Sequence, residues 1–216
     1  MRTNLIFAAL AAATLSTAAG AQTASFGGGL STPSTGFTVQ DQFNDLTGLS
    51  NVTGTVITQS GSNSSGAQPA YATFGSSSYL SVLGGASATY SLASLLPSAI
   101  QFDWGSLDSY NTLTVTTTGG GSFVYVPGAQ NFPGSEGSNG NQVLTNTNGR
   151  FTFAAASGQR ITGLNFASSQ NSFEVDNLAV SGAVPEPATW AMMIGGFGAV
   201  GFAMRRRKAR TGFAFA

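Results

Sequence analysis

Between residues 36 and 180 the sequence never keeps a helical period for more than a turn. Short apolar or alternating runs are cut every few residues by Gly, Asn, Ser or Pro, the rhythm of antiparallel strands joined by tight turns. Runs of strand character cover 36–43, 51–58, 71–74, 79–83, 86–91, 99–104, 112–118, 122–126, 149–155, 161–167 and 172–180. Thr112-Leu113-Thr114-Val115-Thr116 alternates cleanly, with Leu113 and Val115 on one face, and Phe151 and Phe153 share a face likewise. Gly119-Gly120-Gly121 separates two such runs as a hairpin loop. Residues 91–96 have room for one helical turn before Pro97 stops it. The expected fold class is all-β: an antiparallel β-sandwich or jelly-roll-like domain over 37–181, built of about ten strands in two packed sheets. A Gly/Ser/Thr-rich segment at 22–36 reads as a flexible lead-in to it.

Such a domain must be held by its core and its ladders alone, because the chain has no Cys. Thiol nucleophiles, disulfides and thiolate metal sites are therefore excluded. The absence of His removes a Ser-His-Asp triad and the usual zinc shells. Charge is scarce, at 7% of residues, and unevenly placed. Between residues 22 and 184 only Arg150 and Arg160 are basic, against Asp41, Asp45, Asp103, Asp108, Glu136, Glu174 and Asp176. An acidic domain with no basic face cannot neutralise phosphates, so nucleic acid is not an expected partner.

Both ends read as address labels. Arg2, an Ala/Leu-rich run over 5–15, then Ala19-Gly20-Ala21 before Gln22 make the three parts of a secretory signal peptide. Residues 1–21 are expected as a helix removed between Ala21 and Gln22, which implies the Sec translocon and signal peptidase as partners. At the other end, residues 182–187 form an extended linker whose Pro185 and Pro187 flank Glu186. Residues 188–204 carry no charge and would make a single C-terminal transmembrane helix. As helix they reach about 25 Å, against roughly 30 Å of hydrocarbon. Trp190 sits where an indole prefers the membrane interface, and Arg205, Arg206, Arg207 and Lys208 would hold residues 205–216 as a basic cytoplasmic tail.

The run Pro185-Glu186-Pro187-Ala188-Thr189-Trp190-Ala191-Met192-Met193, followed by the arginine cluster, resembles the PEP-CTERM sorting signal. It is most similar to the PEPxxWA subtype, also known as the ice-binding protein C-terminal domain, a label that does not imply ice binding. The resemblance covers residues 185–208 and implies recognition by exosortase, a membrane enzyme that cleaves near the Pro-Glu-Pro. An inner-membrane intermediate of a Gram-negative bacterium, then release to the cell surface or extracellular matrix, would follow. The extra stretch at 209–216 departs from the usual basic stop. Two body segments, Trp104-Gly105-Ser106 with Asp108-Ser109-Tyr110-Asn111, and Phe173-Glu174-Val175-Asp176-Asn177, resemble a group of exosortase-dependent surface proteins of unknown activity. That likeness brings no catalytic residue.

Within the domain three chemistries compete. Asp103 with Asp108, or Glu174 with Asp176, could be the paired carboxylates of a glycan hydrolase, though no feature of the sequence separates their pKa values. Trp104, Tyr110, Tyr79 and Tyr125 could stack a sugar, against the commoner fate of aromatics in a core. Asp176-Asn177 with Asp41 or Asp45 could hold a structural calcium, against the commoner Asp-Asn that only closes a turn. Trp104, Asp108, Tyr110, Asn111, Asp176 and Asn177 are thus the candidate ligand or calcium residues, with no catalytic set and no other cofactor. The expectation is a non-enzymatic envelope or matrix protein with a structural or adhesive link to exopolysaccharide, the alternative being a carbohydrate-binding module.

Overall fold

The computed structural model describes residues 21–27, 32–69, 78–134, 138–183 and 187–208. Its strands are β1 (Thr23–Gly27), β2 (Thr38–Asp41), β3 (Leu49–Thr53), β4 (Val56–Gln59), β5 (Tyr79–Val82) and β6 (Ala86–Ser91). They continue as β7 (Ala99–Gly105), β8 (Asn111–Thr117), β9 (Ser122–Tyr125), β10 (Gly149–Ala154), β11 (Ile161–Ser168) and β12 (Phe173–Ser181), followed by one helix, α1 (Pro187–Lys208). All pairings are antiparallel. A seven-stranded sheet runs β1-β10-β7-β12-β5-β4, with β2 also on β12, and a five-stranded sheet runs β3-β6-β11-β8-β9.

The alternating residues decide how the sheets face. Phe102, Trp104, Phe151, Phe153, Phe173 and Val175 of the larger sheet share one hydrophobic core with Ala88, Leu113, Val115, Leu164 and Phe166 of the smaller. Phe102 and Phe166 meet edge-on across the gap, with ring centroids 5.6 Å apart. The hairpin at 119–121 forms as expected, joining β8 to β9 with Gly119 and Gly120 at φ 85° and 82°. Residues 92–96 close one helical turn, Leu96 N–H donating to the Leu92 carbonyl.

Four expectations need correction. The lead-in is not wholly flexible: β1 pairs with β10, and Phe26 packs on Phe132 at 5.6 Å because Gly149 leaves its ring room. The single strand expected over 51–58 is two strands in different sheets. Gly54, at φ 67°, lies between them where a Cβ would stand 2.9 Å from Ala86, so the chain turns there with no side chain. Trp104 is no exposed platform but fully buried, stacked on Phe173 with centroids 4.3 Å apart; Tyr79 and Tyr125 are buried too. Finally, residues 188–204 are helical as expected, yet among the described residues no helix is long and apolar enough to cross a membrane. Gly195, Gly196, Gly198 and Gly201 dilute the apolar run and Arg205 ends it. The strand expected at 71–74, most of the signal peptide with Ala19, the linker residues Pro185 and Glu186, and the tail beyond Lys208 lie outside the described residues.

Candidate functional site

The core uses only one face of the seven-stranded sheet. On the other face, β7 presents Gln101 and Asp103, β12 presents Glu174 and Asp176, and β10 presents Arg150, all buried. Residues 61–69 lie over part of this face: Tyr79 O–H donates to the Gly61 carbonyl at 2.8 Å, and Ser81 Oγ to the Ser65 carbonyl at 2.5 Å. The polar groups form two neighbouring sites.

The first is a cavity of about 400 Å³ at the end of the sheet, bordered by Asn63, Ser106, Asp108, Tyr110, Asn171 and Glu174, with Asn139, Gly140 and Gln142 opposite. Glu174 is 2% exposed and accepts three hydrogen bonds, from Ser172 Oγ (2.5 Å), Ser106 Oγ (2.8 Å) and Ala67 N–H (3.1 Å). Burial outweighs these donors and pushes its pKa up to about 7, with the Asp108 charge adding to the rise. Asp108 is itself raised by burial, less so for the hydrogen bond it takes from Tyr110. Tyr110 O–H also reaches the Asn171 carbonyl at 2.8 Å. The far wall is a loop stitched by its asparagines. Asn141 Oδ1 accepts from Val143 and Leu144 N–H at 2.9 and 3.0 Å, and Asn148 Nδ2 donates to the Asn141 and Leu144 carbonyls at 2.8 and 3.0 Å. No lysine or arginine lines the cavity.

The second site is a closed network. Arg150 Nε and Nη2 both donate to Asp103 Oδ1, at 2.9 and 2.7 Å, and Asn177 Nδ2 donates to Asp103 Oδ2 at 2.9 Å. Asp176 lies opposite Asp103 in the ladder, and its Oδ1 accepts the Asn177 N–H at 2.7 Å. Desolvation pushes Asp176 up to about 8, helped by the charges of Asp103 and Asp41. Asp176 Oδ2, Asn177 Oδ1 and both polar atoms of Gln101 are buried without a partner. Among the described residues no group of three or more acidic side chains is placed to hold a metal ion.

The candidate residues therefore separate. The structure brings Asp108 and Tyr110 together with Glu174, and pairs Asp176 with Asp103, which divides both carboxylate pairs expected from the sequence. Asn111 is no ligand of the cavity: it is fully buried, and its Oδ1 accepts from Ser168 Oγ at 2.7 Å. Asp41 does approach Asp176, since β2 lays it against Leu178, whereas exposed Asp45 only caps its own turn through Thr47 N–H at 2.7 Å. Asn139, Gln142 and Asn171 were not legible as site residues, for they sit in loops that only the tertiary fold brings to Glu174.

Beyond Gly182 the chain leaves the domain and enters α1, whose Met192, Ile194 and Phe197 are exposed. Pro187 opens the helix, Trp190 and Ala191 lie in its first turns, and Arg205, Arg206 and Arg207 in its last. The profile of the PEP-CTERM protein-sorting motif matches residues 183–208. The tail is a PEP-CTERM sorting signal. A chain carrying this PEP-CTERM signal is exported and sorted to the bacterial cell surface, with exosortase as its processing partner. The signal occupies the helix and its approach, and the β domain lies wholly outside the matched region. No curated protein matches the chain. Among solved structures, the enzymatically active domain of tailspike protein 4 from bacteriophage CBA120 aligns at 17% identity and a TM-score of 0.35, covering 66% of this chain. Only 20% of that protein is covered, and a likeness this slight bears on neither ligand nor activity.

Proposed function

We propose that the β domain is a non-enzymatic adhesive element of the envelope or extracellular matrix, delivered by exosortase and touching exopolysaccharide through the cavity at Asp108, Tyr110 and Glu174. After Sec export and signal peptidase cleavage, the sorting tail presents the chain to exosortase at the inner membrane of a Gram-negative cell. Exosortase then cuts near the Pro-Glu-Pro and releases the domain outward.

The observation that carries the binding half is the cavity's lining. Amide, hydroxyl and carboxylate groups fixed by hydrogen bonds suit the hydroxyls of a sugar, with Tyr110 the one aromatic among the described residues of the lining. The lack of a lysine or arginine there weighs against acidic polysaccharide. Glu174 is committed to three donors, which favours a held carboxylate over one that moves a proton.

A glycan array probed with the mature exported protein tests this reading. Binding to a neutral polysaccharide, weakened by Asp108→Asn and Tyr110→Phe, is the expected result. Hydrolysis of a bound glycan, lost in Glu174→Gln, would instead establish the hydrolase. For sorting, mass spectrometry of the mature C-terminus should find the Arg205-Arg206-Arg207 cluster removed in wild-type cells and retained without exosortase.

A further inference from the structure

We propose that Asp176, Asn177 and Gln101 hold a hard cation, calcium, on the outer face of the seven-stranded sheet. Three acceptor oxygens on this face are buried without a partner: Asp176 Oδ2, Asn177 Oδ1 and Gln101 Oε1. Their residues are 0%, 1% and 1% exposed, so bulk water does not satisfy them. Leaving such groups unpaired is costly, and more so for a charge.

The three residues share this face of the sheet for backbone reasons. Gln101 and Asp103 are two apart on β7 and share a face. Asp176 opposes Asp103, and the ladder then slips so that Ala179 opposes Gln101. The slip is a bulge, with Asn177 at φ 51°, and it turns the Asn177 amide onto Asp103. Its Nδ2 is spent on Asp103, which leaves Oδ1 beside the same carboxylates. A bulge also withdraws backbone carbonyls from the ladder, a further source of oxygen ligands.

Charge points the same way. Asp41 from β2, Asp103 from β7 and Asp176 from β12 surround the place, with Glu174 further along β12, and the one basic group is Arg150 from β10. Arg150 puts Nε and Nη2 on Asp103 and Nη1 on the Thr32 carbonyl. With Asp41, Asp103 and Asp176 all ionised and Arg150 paired to Asp103, two negative charges would be left for one divalent ion to offset. Among the described residues no three acidic side chains are placed to hold a metal, so amide and backbone oxygens would have to complete the shell. Calcium accepts six to eight such oxygens in loose geometry, whereas magnesium demands a tight octahedron.

The test uses the mature exported protein, stripped with chelator and titrated with calcium chloride alone. One site per chain is expected, with a melting midpoint raised by roughly 5 °C or more at saturation. Asp176→Asn should weaken binding at least roughly tenfold, and magnesium chloride should not substitute. Should that variant fail to fold, Gln101→Glu adds a carboxylate at the same place and should tighten binding by a similar factor. A midpoint indifferent to calcium and chelator, or wild-type affinity in either variant, overturns the assignment.

Discussion

On the inner side of the seven-stranded sheet, Phe102, Trp104, Phe151 and Phe173 meet the second sheet in a dry aromatic cluster. On the outer side of the same strands, Gln101, Asp103, Arg150, Glu174 and Asp176 are just as deeply buried. The inner face needs mainly shape, since apolar groups gain from leaving water whatever their neighbours, and Trp104 Nε1 is its one unpartnered polar atom among the described residues of that cluster. The outer face needs a partner for every polar atom. It finds one for Asp103 and Glu174 and lacks one for Gln101 and Asp176. Burial alone therefore does not tell what a face contributes: the inner one packs the two sheets together, and the outer one must balance buried polar and charged groups.

The comparison is broken most severely by Trp104→Ala. Loss of a fully buried ring that stacks on Phe173 should cost about 3–5 kcal/mol, read from chemical denaturation. A smaller loss in Trp104→Ala than in any outer-face variant would overturn the assigned roles. Next comes Arg150→Met, which leaves Asp103 charged and unpaired and should cost about 3 kcal/mol. Adding Asp103→Asn should recover a good part of that, whereas an additive pair would deny that the two act as a unit.

The smallest effect is the most specific to the outer face. Glu174 and Asp176 have folded pKa values of about 7 and 8, above their unfolded values near 4.5 and 3.8. Below the unfolded values both states hold the protons, so the stabilising contribution is complete there. As pH rises through the window from about 4 to about 8 the unfolded chain releases its protons first, and stability declines. Melting midpoints in chelator should therefore fall by several degrees between pH 5 and pH 8, and Glu174→Gln should flatten the slope. A midpoint that climbs with pH over this range would show that the outer carboxylates are not the groups in control.

Much of this architecture was legible in the sequence. The alternation in Thr112-Leu113-Thr114-Val115-Thr116 placed a strand and its inner face, and the tail's ordered parts placed the sorting signal. Two things were not. Period-two alternation marks a face but not what covers it, so Glu174 and Asp176 read as one pair on a shared face until residues 61–69 were seen over part of it and β2 beside β12. The β3–β4 break hid because 51–58 reads as one continuous strand, and only the closeness of Ala86 explains the turn at Gly54. Trp104 followed the commoner fate of a strand aromatic, in the core.

The position of β12 has a mechanical consequence. This strand lies inside the larger sheet, hydrogen-bonded to β7, β2 and β5, and runs into the sorting tail within a few residues. Its exit is pinned by Ser98 N–H on the Ser181 carbonyl and Arg160 Nη1 on the Gly182 carbonyl, each at 2.9 Å. A pull on the C-terminus would load these ladders along their length, so many hydrogen bonds must yield together. An edge strand would peel one bond at a time. A protein towed or tethered by its tail thus takes the force through its best-anchored strand.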